Sequence, residues 1–126
     1  MVAGVGVDIV EIDRIAGSIQ NPRFLERVYT PGERAYCDSR GAQRSASYAA
    51  RWAGKEAVLK AFGTGLRQGT LQEIEILPDV LGCPHVRLTG CLAELAAARA
   101  IGAVHISLSH ARAFAVAQCI MEGTGR

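Results

Sequence analysis

Two carboxylates in this sequence stand where an ordinary core has no use for them. Asp8 closes the apolar run Gly6-Val7-Asp8-Ile9-Val10, and an ionised carboxylate buried there without a partner costs several kcal/mol. A helix N-cap or a salt bridge to Arg14 would compensate it. So would a hard cation, because magnesium takes oxygen ligands and is usually held by one or two carboxylates plus substrate phosphates. Glu56 lies in a segment that is otherwise mostly apolar or small, with Lys60 one helical turn later. As a simple i,i+4 pair the two contribute only about 0.2–0.5 kcal/mol, against a desolvation cost of several kcal/mol. The spacing therefore points to a polar cavity. Gly63-Thr64-Gly65 follows directly and lets backbone amides approach a ligand, although a plain helix stop explains a glycine pair equally well. Ile106-Ser107-Leu108-Ser109-His110 ends a strand on polar groups, with His110 open to a role as general base, phosphate contact or surface histidine.

The charge distribution supports the same chemistry. Between Arg40 and Arg67 six basic residues (Arg40, Arg44, Arg51, Lys55, Lys60, Arg67) surround one acid, Glu56. That is the balance expected of a site holding phosphates and one cation together.

The elements that must position these residues follow from periodicity and punctuation. Val2 to Val10 reads as a buried strand ending at Asp8, and Glu11 to Ser18 as a short helix with apolar Ile12, Ile15 and Ile19. Asn21-Pro22 opens another helical turn, and Thr30-Pro31-Gly32-Glu33 is a capping box for a helix fading near Gly41. The longest helix is expected from Arg44 to Phe62. It is apolar on nearly every side, broken by two charged pairs, Arg51 with Lys55 and Glu56 with Lys60, and so belongs in the core. Strands are expected at Leu71–Leu77 and His85–Leu88, a helix at Gly90–Ile101 capped by Thr89 and closed by Gly102, and a strand pair at His105–Ser109 and Ala113–Met121. This order gives an α+β fold with an antiparallel sheet packed on a long core helix.

With 126 residues, 49% hydrophobic and 21% charged, the chain fits one packed domain spanning 1–126. A net charge of +2 gives no ground for a nucleic-acid partner. Met1 to Gly6 carries no basic n-region, and no apolar run nears the roughly 20 residues of a spanning helix, so neither signal peptide nor membrane anchor is expected. Cys37, Cys83, Cys91 and Cys119 form no C-x-x-C pair and read as buried free thiols of a cytoplasmic protein. His85 and His105 read as structural, and Trp52, Phe62 and Phe114 as core anchors. P-loop, zinc-protease and dinucleotide motifs are missing.

Gly6-Val-Asp-Ile-Val-Glu-Ile-Asp-Arg-Ile15, Ala50-Arg-Trp-Ala-Gly-Lys-Glu-Ala-Val-Leu-Lys-Ala-Phe-Gly-Thr-Gly65 and Ile106-Ser-Leu-Ser-His110 together resemble the bacterial holo-acyl-carrier-protein synthases, within the phosphopantetheinyl transferase superfamily. Thr30-Pro-Gly-Glu-Arg34, Ile74-Glu-Ile76 and Gly82-Cys-Pro84 extend the likeness over nearly the whole chain. The resemblance implies an enzyme that moves 4′-phosphopantetheine from coenzyme A to a serine of apo acyl carrier protein in lipid and fatty-acid biosynthesis. It implies magnesium on Asp8 and Glu56, a phosphate-binding and proton-handling Lys60, and coenzyme A contacts at Arg51, Gly63, Gly65, His110 and, in a more variable loop, Arg44. Arg14, Arg23, Phe24 and Arg27 resemble the patch that receives the carrier protein's acidic helix. It further implies homotrimers with sites between subunits. A magnesium pyrophosphohydrolase, which needs a denser glutamate cluster, and a binding module for coenzyme A or a nucleotide are the competing readings.

Overall fold

Strand β1 runs from Val2 to Glu11 in a computed structural model that describes residues 1–63 and 70–125. The strand is covered on one side only. Gly6 and Val10 are buried, but Val5, Val7 and Ile9 are 61%, 57% and 63% exposed, so the buried strand expected from the sequence is buried on its even-numbered face alone. Three short helices follow: α1 (Ile12–Ser18), α2 (Pro22–Val28) and α3 (Pro31–Asp38). Asn21 caps α2 by accepting from the Arg23 amide at 3.0 Å, with Pro22 in the first turn. The capping box of Thr30 and Glu33 forms as expected and opens α3. That helix ends at Asp38, and a 3-10 turn, Gly41–Gln43, leads into α4 (Arg44–Phe62).

Helix α4 has the predicted bounds and stops at Gly63, whose φ of +75° is the left-handed conformation glycine tolerates. Beyond it lie β2 (Ile74–Pro78), β3 (Pro84–Leu88), α5 (Gly90–Ala98), β4 (Ile101–His110) and β5 (Phe114–Gly123). Strands pair antiparallel in the order β1-β5-β4, while β2 and β3 form a separate two-stranded hairpin. The α+β architecture is thus the predicted one, with its strands divided between two sheets. Helix α4 lies across β1 and β5 and also touches α1, α3, β2 and β4. Tyr29, Tyr48, Val58, Ile74, Ile76, Leu92 and Met121 are fully buried around it.

Several element boundaries differ from expectation, β4 among them, which starts at Ile101 rather than His105, and two differ for reasons the structure shows. The strand predicted from Leu71 begins only at Ile74, because Leu71–Glu73 form a 3-10 turn whose Leu71 carbonyl, with that of Ile74, accepts from the Lys55 ammonium. The helix predicted to reach Ile101 ends at Ala98. Its turn is made by Ala100 at φ +56° rather than by Gly102, and its first turn is served by the Glu73 carboxylate, which accepts from the Leu92 amide at 3.0 Å, in place of Thr89. All four cysteines are free, but only Cys37 and Cys119 are buried; Cys83 and Cys91 are exposed.

Candidate active site

Why Asp8 meets α4 is legible in β1. Side chains alternate along a strand, so Gly4, Gly6, Asp8 and Val10 share one face. A Cβ on Gly4 would fall 2.2 Å from the Ala61 carbonyl oxygen, and one on Gly6 only 2.0 Å from that of Ala57. The two glycines therefore let the helix backbone rest on the strand. Asp8 is the first residue on that face whose side chain extends, and it does so beside the helix. Within α4 the run Ala46–Phe62 is buried except for Trp52, Glu56 and Lys60. Those three are four residues apart and form one stripe.

Lys60 Nζ lies 3.0 Å from Asp8 Oδ1 and donates to the Val7 carbonyl at 3.0 Å. The Asp8 side chain is 16% exposed and that of Lys60 55%. Neither an N-cap nor a bridge to Arg14 is the partner of Asp8; Lys60 is. Glu56, half-buried, makes no side-chain hydrogen bond or ion pair among the described residues. Its carboxyl is held above the usual glutamate range, first by burial and then by the negative charge of Asp8, with Lys60 and Arg14 acting in the opposite sense. Two carboxylates are thus pressed toward one another, with one left without a protein donor. Hard oxygen donors in mutual repulsion are relieved by a divalent cation, and magnesium fits this donor set.

The remaining expected site residues fall into three groups. The Arg14 guanidinium sits 6.0 Å over the Trp52 ring, and Phe24 stacks on Trp52 at 5.6 Å, so α1 and α2 meet the stripe on α4. Trp52 and Phe24 are half-buried and pack against the core, and Phe62 is buried in it, whereas Phe114 is 46% exposed, which corrects the reading of Phe114 as a core anchor. Arg23 and Arg27 are exposed on α2. Elsewhere, His110 lies at the end of β4 with Nε2 at 3.2 Å from Gln43 Oε1, in an open cleft of about 410 Å³ lined by Ile12, Gln43, Ala46 and Arg112. Arg44 is engaged by Asp38 at 2.8 Å and covers the Tyr48 ring. Gly63 is exposed at the helix end, and Gly65 lies outside the described residues.

Arg51 departs from its expected place among ligand contacts. It is 6% exposed, donates to the Ile76 carbonyl and Ser47 Oγ at 3.3 Å each, and covers the Tyr36 ring at 4.6 Å. One turn along the same helix stands Lys55. That lysine is fully buried and bridges Glu33 at 2.7 Å, an ion pair the sequence reading missed because the capping box already explained Glu33. A further missed cluster joins Asp79, Cys83 and His85, where His85 reads from sequence as a partnerless strand residue.

The profile of the 4′-phosphopantetheinyl transferase superfamily matches residues 4–119, which hold every residue of the site just described. The chain belongs to that superfamily. Within the phosphopantetheinyl transferases it is 48% identical over 120 residues to the holo-[acyl-carrier-protein] synthase of Ruminiclostridium cellulolyticum, covering 93% of this chain and 90% of that one. The crystal structure of the Neisseria meningitidis holo-[acyl-carrier-protein] synthase superposes with a TM-score of 0.88 at 31% identity, over 97% of this chain and 99% of that one. The Bacillus anthracis holo-(acyl-carrier-protein) synthase, solved in complex with CoA (3′,5′-ADP), gives 0.82 at 34% identity, over 98% and 99% of the two chains.

Proposed function

We propose that this phosphopantetheinyl transferase is a holo-acyl-carrier-protein synthase, moving 4′-phosphopantetheine from coenzyme A to a serine of apo acyl carrier protein and releasing adenosine 3′,5′-bisphosphate. The observation that carries the reading is the meeting of Asp8, Glu56 and Lys60 where β1 crosses α4. Asp8 and Glu56 would hold a magnesium ion, which would supply Lewis-acid polarisation of the diphosphate and offset charge on the leaving phosphate.

The chain's own groups do the rest. The serine oxygen bonds to the phosphorus that carries pantetheine as the bond from that phosphorus to the bridging oxygen breaks. Glu56, directly or through a water, accepts the serine proton. Lys60, with an exposed side chain on the helix stripe, turns from Asp8 to the phosphoryl oxygens and neutralises the charge they gain. Gly63, Gly65, His110 and Arg44 contact coenzyme A, and Arg14, Arg23, Phe24 and Arg27 receive the acidic carrier protein. Arg51 is left out of this set because its guanidinium is spent inside the fold.

The same reading makes the protein a cytoplasmic homotrimer of lipid and fatty-acid biosynthesis. The exposed outer face of β1 suits such an association, and no helix among the described residues is long and apolar enough to cross a membrane. Incubation with coenzyme A, magnesium and an apo carrier protein, followed by mass measurement of the carrier, tests the function. A gain of one phosphopantetheine is expected. Free phosphopantetheine would instead mark a pyrophosphohydrolase, and unchanged masses a binding module.

A further inference from the structure

The β2–β3 hairpin contributes nothing to the site on α4, yet its turn gathers three different metal-ligand types. Asp79, Cys83 and His85 each offer one ligand atom, and these atoms lie within 4.8 Å of one another. The backbone beneath them is fixed. Pro78 and Pro84 pair at the hairpin's end, the Asp79 amide donates to the Cys83 carbonyl at 2.9 Å, and Gly82 turns the chain at φ +87°. Asp79 Oδ1 accepts from the amides of Leu81 and Cys83 at 2.9 and 3.0 Å. That anchorage aims Oδ2 at His85 Nε2, 2.9 Å away. All three residues are exposed.

We propose that this turn is a second cation site, selective for a borderline-soft divalent ion of the zinc class and held by Asp79, Cys83 and His85. The donor chemistry decides the class. One carboxylate oxygen, one sulfur and one imidazole nitrogen match zinc or cobalt and disfavour magnesium, which prefers oxygen. The size also fits. With metal–ligand distances of roughly 2.0–2.3 Å, donors of a tetrahedral site stand roughly 3.5 Å apart, so the exposed side chains need shift by only about an ångström, the most distant donors closing while Asp79 Oδ2 and His85 Nε2 part. Three protein ligands leave a fourth position for water. The ion replaces the proton of the Cys83 thiol, which passes to solvent, so binding weakens as pH falls. Its consequence for the fold is a hairpin clamped across its turn.

Cobalt(II) titration of the metal-stripped full chain, in excess magnesium to occupy oxygen-only sites, tests this directly. One equivalent is expected to bind and to bring up the thiolate-to-cobalt charge-transfer absorption. Cys83→Ser should abolish that absorption, His85→Ala and Asp79→Asn should each weaken binding at least about 10-fold, and Cys91→Ser, which alters the other exposed thiol, should change nothing. Circular dichroism verifies that each variant is folded. Absence of the charge-transfer band in the parent chain overturns the proposal, as does a band that survives Cys83→Ser or an affinity unmoved by His85→Ala.

Discussion

Glu33 uses both oxygens of one buried carboxylate. Oε1 accepts from the Thr30 amide at 3.0 Å and meets Lys55 Nζ at 2.7 Å, while Oε2 accepts from the Ile76 amide at 2.8 Å. A single side chain thereby caps α3, fixes β2 and neutralises a charge on α4. Breaking such a pair leaves its partner charged in the core, so Glu33→Leu and Lys55→Met should each cost roughly 3–5 kcal/mol, whereas the double variant should recover part of that loss in urea unfolding. The pH dependence has a definite sign. Burial already depresses Lys55 and Glu33 opposes the shift, so in Glu33→Gln the lysine falls further. Between that lowered folded value and the ordinary lysine value of about 10.4, the unfolded chain binds more protons, and stability must rise with pH. Stability of Glu33→Gln that falls or stays level through this window would contradict the assignment. Glu56 presents the opposite balance. Its charged form is disfavoured by burial and by Asp8, so Glu56→Gln should leave melting temperature equal or higher. Phosphopantetheine transfer should nevertheless drop on the order of 10²-fold or more, by loss of the proposed metal ligand and base; retained transfer would count against the site.

At the level of elements, the contact between β1 and α4 sets the distance from Asp8 to the helix stripe. Gly6→Ala puts a methyl into the Ala57 carbonyl, which as backbone cannot rotate away. The helix must lift, at a cost of about 1–3 kcal/mol, and Asp8 must part from Lys60. The expected outcome is a lower unfolding midpoint together with a loss of kcat that saturating magnesium does not restore. Gly17→Ala, with open space around the added carbon, serves as the control and should keep full activity. This contact also marks how far the sequence could be read. The bounds of α4, the Thr30 capping box and the oddity of each carboxylate in its apolar surroundings are local or compositional signals, and each is visible in the chain. The glycine face of β1 is not, because Gly4 and Gly6 become meaningful only once a helix is known to rest on them. Likewise the 3-10 turn at Leu71–Glu73 depends on a lysine 16 residues upstream of Leu71, and Arg51 could be told from Lys60 only by which side of α4 each occupies.

At the scale of the whole molecule, one layer of helix covers one side of the three-stranded sheet. The other side carries Val5, Val7 and Ile9 in register with Ile120, Gln118 and Val116 of β5, which in turn face His105, Ser107 and Ser109 of β4. The β1 row is more than half exposed, and an apolar row of that kind on a sheet is the mark of an association surface. It runs on the reverse of the strand that presents Asp8, so assembly and site share one element. The proposed trimer therefore predicts that Ile9→Lys, a substitution facing away from the helix and leaving the core intact, yields a folded monomer in analytical ultracentrifugation where the parent chain sediments as a trimer. If the sites of the proposed trimer lie between subunits, transfer activity should fall with the loss of assembly and return as protein concentration restores it. A parent chain that is monomeric at the concentrations where it is fully active would refute both the assembly and the shared site. A trimer indifferent to Ile9→Lys would move the interface elsewhere on the surface.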